Sequence, residues 1–258
     1  MINKITPEMK SSLSVNVRAY YDYQDERKRM DNRLGLTKEG KTKKKAPERD
    51  LILLTYLLNR REEVYNMEKE LEREISKHIS KEPLWTEFLK HEKGVGPMMA
   101  AVILTEIDIH KGDCVSKIWS FAGMAPGKDR KVKGKKCTYN AFLKAKMLGV
   151  LGSSFLKCKA RYSRIYYELK QRLENSDNEV IENVKGGKKK TIKWRDATLK
   201  HRHDAANRRM VKEFLKDLYC AWRVIEGLPV RKPYAEEYLN KKHGDFKTNS
   251  EEKPKGKE

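Results

Sequence analysis

The chain has 258 residues, 38% of them hydrophobic and 37% charged, and 58 Lys and Arg against 37 Asp and Glu give it a net charge of +21. So lean an apolar fraction suits an elongated helical protein; the longest apolar run, Met98 to Leu104, stops at Thr105, far short of the roughly 20 residues a membrane span requires. The four cysteines (Cys114, Cys137, Cys158, Cys220) form no Cys-x-x-Cys unit and the start Met1-Ile2-Asn3-Lys4 carries no apolar signal core, so a reduced, cytoplasmic setting is expected.

In chain order, residues 8–34 read as a polar helix, because Leu13, Val17, Tyr20 or Tyr21 and Gln24 recur at helical spacing and no Gly or Pro intervenes before Gly35. The stretch from Gly35 to Pro47, with Lys41, Lys43, Lys44 and Lys45, is an exposed loop by composition. Together these make a first unit over 1–46. From Pro47 to the stop at Pro83, Leu51, Leu54, Leu58, Val64, Met67, Leu71 and Ile75 form an apolar stripe. The spacing predicts one coiled-coil-like helix over 47–82, roughly 50 Å long at 1.5 Å per residue. An antiparallel hairpin with residues 8–34, a coiled-coil dimer, or both would cover that stripe. Its heptads are irregular, which favours the hairpin; a homo-oligomer held by the long helices is the other expectation.

Residues 83–173 hold the densest apolar sequence and are expected to form the main core. Residues 174–200 read as a basic insertion with a short β-hairpin, Val180 to Val184 against Thr191 to Trp194. A last helix over about His201 to Glu226 opens a C-terminal unit, 201–239, with Ala205, Met210, Val211, Phe214, Leu218, Ala221, Trp222 and Ile225 on one face, and Gly227 and Pro229 end it. The lysine-rich stretch 240–258 is expected to be disordered. The fold class is therefore all-α in the main: a long helical hairpin or coiled coil, then a helix-hairpin-helix domain, with one small β-hairpin.

Within 83–173, Leu84 to Leu104 have the form of a helix, a Gly-hydrophobic-Gly turn and a second helix. Gly94 and Gly96 permit a turn too tight for a Cβ atom and a close approach of phosphate to the main chain. Val95 is placed to plug the gap between the helices, and Pro97 opens the second helix where a missing N–H costs nothing. Free amides at that helix start, with the positive end of its dipole, make an anion site. Contacts of this kind hold the nucleic-acid backbone and read little sequence. An ordinary tight interhelical turn would share the glycines and lack the phosphate.

The positive charge is clustered. Residues 127–147 carry eight basic side chains and one acidic, and residues 185–209 carry ten and two. An evenly solvated Lys-rich surface would not concentrate charge this way, so a polyanion is the expected partner. Lys128, Arg130, Lys131, Lys133, Lys135 and Lys136 would each neutralise a phosphate, and binding would weaken stepwise as each is lost. The expected DNA-contacting set is thus Lys93, Gly94, Val95, Gly96 and Pro97 with these six.

The segment Lys93-Gly94-Val95-Gly96-Pro97-Met98-Met99-Ala100-Ala101 with Glu106-Ile107, the run Ile118-Trp119-Ser120-Phe121-Ala122-Gly123-Met124-Ala125-Pro126, and Phe142-Leu143-Lys144-Ala145-Lys146-Met147-Leu148 resemble the insertion sequence 110, 116 and 902 transposase family, which includes the Piv-type invertase. His201-Arg202-His203-Asp204-Ala205 and Gly227 to Tyr234 are similar, more loosely, to a C-terminal extension of a divergent branch, so the likeness covers about residues 83–239. It implies a role in DNA transposition or site-specific recombination.

The family's RuvC-like domain, with its four acidic metal ligands, has no counterpart in the first 46 residues. Asp22, Asp25, Glu26 and Asp31 fall on a helical pattern and read as a solvated face. The family's serine nucleophile is also missing, since Gly127 to Lys136 contains no serine and Thr138 is the nearest hydroxyl, a poor substitute. No catalytic residue, metal ligand or cofactor is therefore assigned.

The leading expectation is a sequence-tolerant, double-stranded-DNA-binding protein derived from or accessory to such a transposase. An active recombinase with a separate subunit or an unrecognised nucleophile, and a module for structured RNA, are the alternatives. His201-x-His203 and the cysteines do not make a four-ligand zinc set. Ser153 and Ser154 read as helix-packing residues. Of Trp85, Trp119, Trp194 and Trp222, only Trp194 lies in a basic stretch, where it could stack on a base.

Overall fold

The computed structural model describes residues 6–44, 50, 52, 54–125, 134, 136–183, 189–233 and 237. Helix α1 (Pro7–Leu34) is opened by Thr6, whose hydroxyl accepts from the Met9 amide, and closed by Gly35 at φ 71°. Helix α2 (Thr55–Ile79) returns beside it. The two are antiparallel, since Asp31 meets Arg61 while Gln24 and Arg27 meet Glu68. The expected helical hairpin is present, and its helices cover each other's apolar faces.

Helix α2 is shorter than its sequence predicts. Asp50 accepts a bond from the Ile52 amide at 2.9 Å, and Thr55 turns both its amide and its hydroxyl onto the Ile52 carbonyl. A local side-chain turn of this kind competes with helix, and helix begins only at Thr55; Pro47 lies outside the described residues. The stripe also departs from expectation at Met67, which is exposed, while Glu68 is fully buried in its place.

Glu68 is buried because it is paired. Arg27 Nε donates to Glu68 at 2.5 Å, Arg27 Nη1 to Asp31 at 2.5 Å, and Arg61 Nε to Asp31 at 2.9 Å. Arg61 Nη2 also reaches the carbonyls of Thr37 and Lys38, tying the inter-helix loop to the hairpin. All four charged side chains are buried, so Asp31 is not part of a solvated face; Asp22 and Asp25 are exposed and Glu26 half-buried.

The hairpin lies on a core assembled from α3 (Pro83–Glu87), α4 (Pro97–Glu106), α5 (Val115–Phe121), α6 (Ala141–Ala145), α7 (Gly152–Lys157), α8 (Ser163–Glu174) and α9 (Leu199–Ile225). The rings of Phe155, Tyr162 and Phe214 meet at its centre with centroids 5.1–5.6 Å apart. Between α6 and α7, residues Lys146–Leu151 wind as a π-helix. The Asn207 side chain on α9 donates to the Leu148 carbonyl there at 2.9 Å. Gly152 makes room, since a Cβ on it would lie 2.1 Å from the Asn207 oxygen. A side chain inserted into a helical ladder is a known cause of such irregularity.

Two strands, β1 (Glu179–Asn183) and β2 (Lys189–Lys193), pair antiparallel with Val180 opposite Ile192, as the sequence predicts to within about two residues. Among the described residues the fold is mainly helical with this one small β-hairpin. Helix α9 carries the predicted buried face, capped by Thr198 and ended at Gly227, φ 67°. Its Arg223 is buried and donates to the carbonyls of Ile109, Gly112 and Pro229. Among the described residues, no helix is long and apolar enough to cross a membrane.

Glu82, just before α3, supplies a pH dependence. It is buried beside Glu226, in a cavity also lined by Lys10, Asp108 and His110. Burial first, and the Glu226 charge second, push its pKa up to about 7. A carboxylate raised on folding contributes stability at low pH that is lost as pH rises through the folded value. Glu82→Gln is therefore expected to melt higher than the parent at pH 8, the difference closing toward pH 4.5. A difference in melting temperature that is constant across this range would contradict the assignment.

Candidate nucleic-acid interface

The turn is built from both sides. The first helix expected from Leu84 onward is only the five residues of α3, because Phe88 leaves helical geometry (φ −132°, ψ −63°) and a 3₁₀ turn, Leu89–His91, follows. Phe88 instead stacks against Phe214, with ring centroids 6.4 Å apart, so core packing overrides helix propagation here. The Val95 amide donates to the Glu92 carbonyl at 3.0 Å and closes the turn. Val95 is buried, as a plug between helices should be.

The two glycines have different reasons to be there. Gly94 sits at φ 96°, and a Cβ on it would press on Phe155 at 3.1 Å and on the Ser154 hydroxyl at 3.3 Å. Ser154 donates to the Gly94 carbonyl at 2.7 Å, so this serine anchors the turn. Gly96 has an ordinary extended backbone (φ −99°, ψ 169°), is exposed, and has nothing within 4 Å of where a Cβ would be. Neither conformation nor internal packing demands glycine at 96.

Helix α4 starts on Gly96 with Pro97 in its first turn and no side-chain cap. Met99 and Ala100 both donate to the Gly96 carbonyl at 3.0 Å. Among the described residues, the Gly96 and Met98 amides have no acceptor. Orphan donors at an exposed helix start are where anions bind. Gly94, Gly96 and Met98 border a cleft of about 220 Å³ whose far side includes Tyr20, Tyr21 and Gln24 of α1. Lys146 from the π-helix places its ammonium 3.2 Å over the Tyr21 ring. Lys93 is exposed beside the turn, and Glu92 is occupied by Arg161 at 2.6 Å.

Lys136 is described and exposed, on the chain leading into α6. Lys128, Arg130, Lys131, Lys133 and Lys135 lie outside the described residues. Upstream of them, Gly123 turns at φ 66° with a Tyr139 ring atom 2.7 Å from where a Cβ would be. Glu106 at the end of α4 links three elements, accepting from Arg18 and from the Asn140 amide, each at 2.5 Å.

Among the described residues, no group of three or more His, Cys, Asp and Glu could hold a metal ion. His203 instead meets the Tyr166 hydroxyl at 2.7 Å, and His201 lies against Trp194. Sequence reasoning passed over Asn207 and Lys212, both on α9. Their only signal was a polar residue one turn from buried apolar ones.

Comparison with protein-family models, with curated proteins and with solved structures returned no match to this chain.

Proposed function

We propose that this chain binds nucleic acid, double-stranded DNA foremost, by seating a backbone phosphate on the amides at the start of α4. It is a sequence-tolerant accessory or derivative of a transposase of the insertion sequence 110, 116 and 902 type. The observation that carries the reading is Gly96. The fold does not require glycine there, yet the position is exposed beside two amides that lack acceptors among the described residues, and a bare backbone lets a phosphate approach closely. The net charge of +21 supports the same reading, because it draws polyanions to the surface.

The partner is tested by competition. Labelled duplex DNA bound at about 0.15 M salt is challenged with unlabelled duplex and with structured RNA of equal length. Displacement by duplex at lower concentration is expected. Preferential displacement by RNA would replace DNA as the partner, and no binding of either would remove the proposal.

A further inference from the structure

A second site lies away from the turn. Strands β1 and β2, helix α8 and the first half of α9 enclose a cleft of about 770 Å³, within the range of small-ligand sites. One part of its wall is apolar, from Met124, Leu169, Leu173 and Val180. Trp194 is half-buried in the same wall, its ring 5.0 Å from that of His201. Helix α9 also contributes Arg208, Arg209 and Lys212 within about one turn.

Lys212 is the informative group. It is half-buried, and its ammonium lies 4.3 Å over the Trp119 ring. Burial first, then the neighbouring Arg209 and Arg208, push its pKa down to about 8. Glu213, the nearest carboxylate in sequence, is engaged by Arg209 and Lys216. Among the described residues, the carboxylates bordering the cleft, Glu179 and Asp204, are exposed, whereas the three cations are half-buried. The lining thus combines half-buried cations with an aromatic ring and apolar side chains.

We propose that this cleft binds a nucleotide, its phosphate on Lys212 and the two arginines and its base against Trp194. Phosphate and base together match the two kinds of lining group, since guanidinium and ammonium groups hold phosphate and indole stacks on any base. The proposal is independent of the turn at Gly96. The nucleotide is either free or one residue of a single strand.

The test is titration of the full chain with adenosine monophosphate and, separately, with a ten-residue oligothymidylate, followed by tryptophan fluorescence and anisotropy. Quenching that saturates is expected with at least one probe. Binding of the monophosphate as tightly as the oligonucleotide assigns a free nucleotide, and a clear preference for the oligonucleotide assigns a strand. Lys212→Met is expected to weaken binding about ten-fold and Trp194→Leu to weaken it and remove most of the quenching, with helical content unchanged in both. Gly96→Val is expected to leave this binding intact, which separates the site from the duplex interface. No saturable signal with either probe, or affinities within two-fold of the parent in both folded cleft variants, would overturn the proposal.

Discussion

Glu68→Ala is expected to destabilise the chain by about 3–5 kcal/mol, the usual cost of removing one partner from a buried ion pair. The loss is large because Arg27 stays buried, 3% exposed, with only Asp31, shared with Arg61, left to balance it. Domains are typically stable by only about 5–15 kcal/mol, so the variant should unfold at much lower urea. Replacing both partners, Arg27→Met with Glu68→Leu, should recover most of the loss, since apolar groups of similar volume often match a buried pair. The Asp31 and Arg61 pair remains in that double variant. Urea denaturation of the three proteins checks this. A single-variant loss below about 1 kcal/mol, as for an exposed pair, or a double variant as weak as the single, would show that the network contributes little.

The second large effect is on binding. Gly96→Val should weaken duplex DNA affinity about ten- to a hundred-fold, because a hydrogen bond to a charged group contributes about 1.5–3 kcal/mol. The valine has room on the protein side and needs no unusual backbone angle. Stability is therefore expected to stay within about 0.5 kcal/mol, as for an ordinary surface change. Gly94 would make a poor probe, since any side chain there strains the φ of 96° and crowds Phe155.

Periodicity made α1, α9 and the β1–β2 pairing legible. The helices have a clear apolar rhythm with a capping residue, proline or glycine at an end, the strands flank Gly186-Gly187, and these signals are local. Glu68 was not legible, because a carboxylate beside Met67 looks like surface until its partner, 41 positions away, is in place. The same holds for Asn207, whose partner is the Leu148 carbonyl, and in part for Asp31, which pairs with Arg61 of α2 as well as with Arg27 of its own helix. Helix α2 misled at its start because the bond from the Ile52 amide to Asp50 is a local alternative to helix. Within the candidate interface the two glycines and the proline could be read from their context. Which glycine the fold needs could not, since that depends on Phe155 and Ser154 about sixty residues later. The cleft at Lys212 was half visible: Trp194 stood out in a basic stretch, whereas the cations facing it are arranged by α9.

Duplex affinity measured across a salt series, for the parent and for Gly96→Val, probes the turn most directly. The parent should lose affinity linearly on a logarithmic salt axis, by about 0.9 per phosphate neutralised. The variant's line should run nearly parallel and at least about ten-fold weaker, since no cation has been removed. Coincident lines from a variant with parental helical content would mean that the α4 amides hold no phosphate.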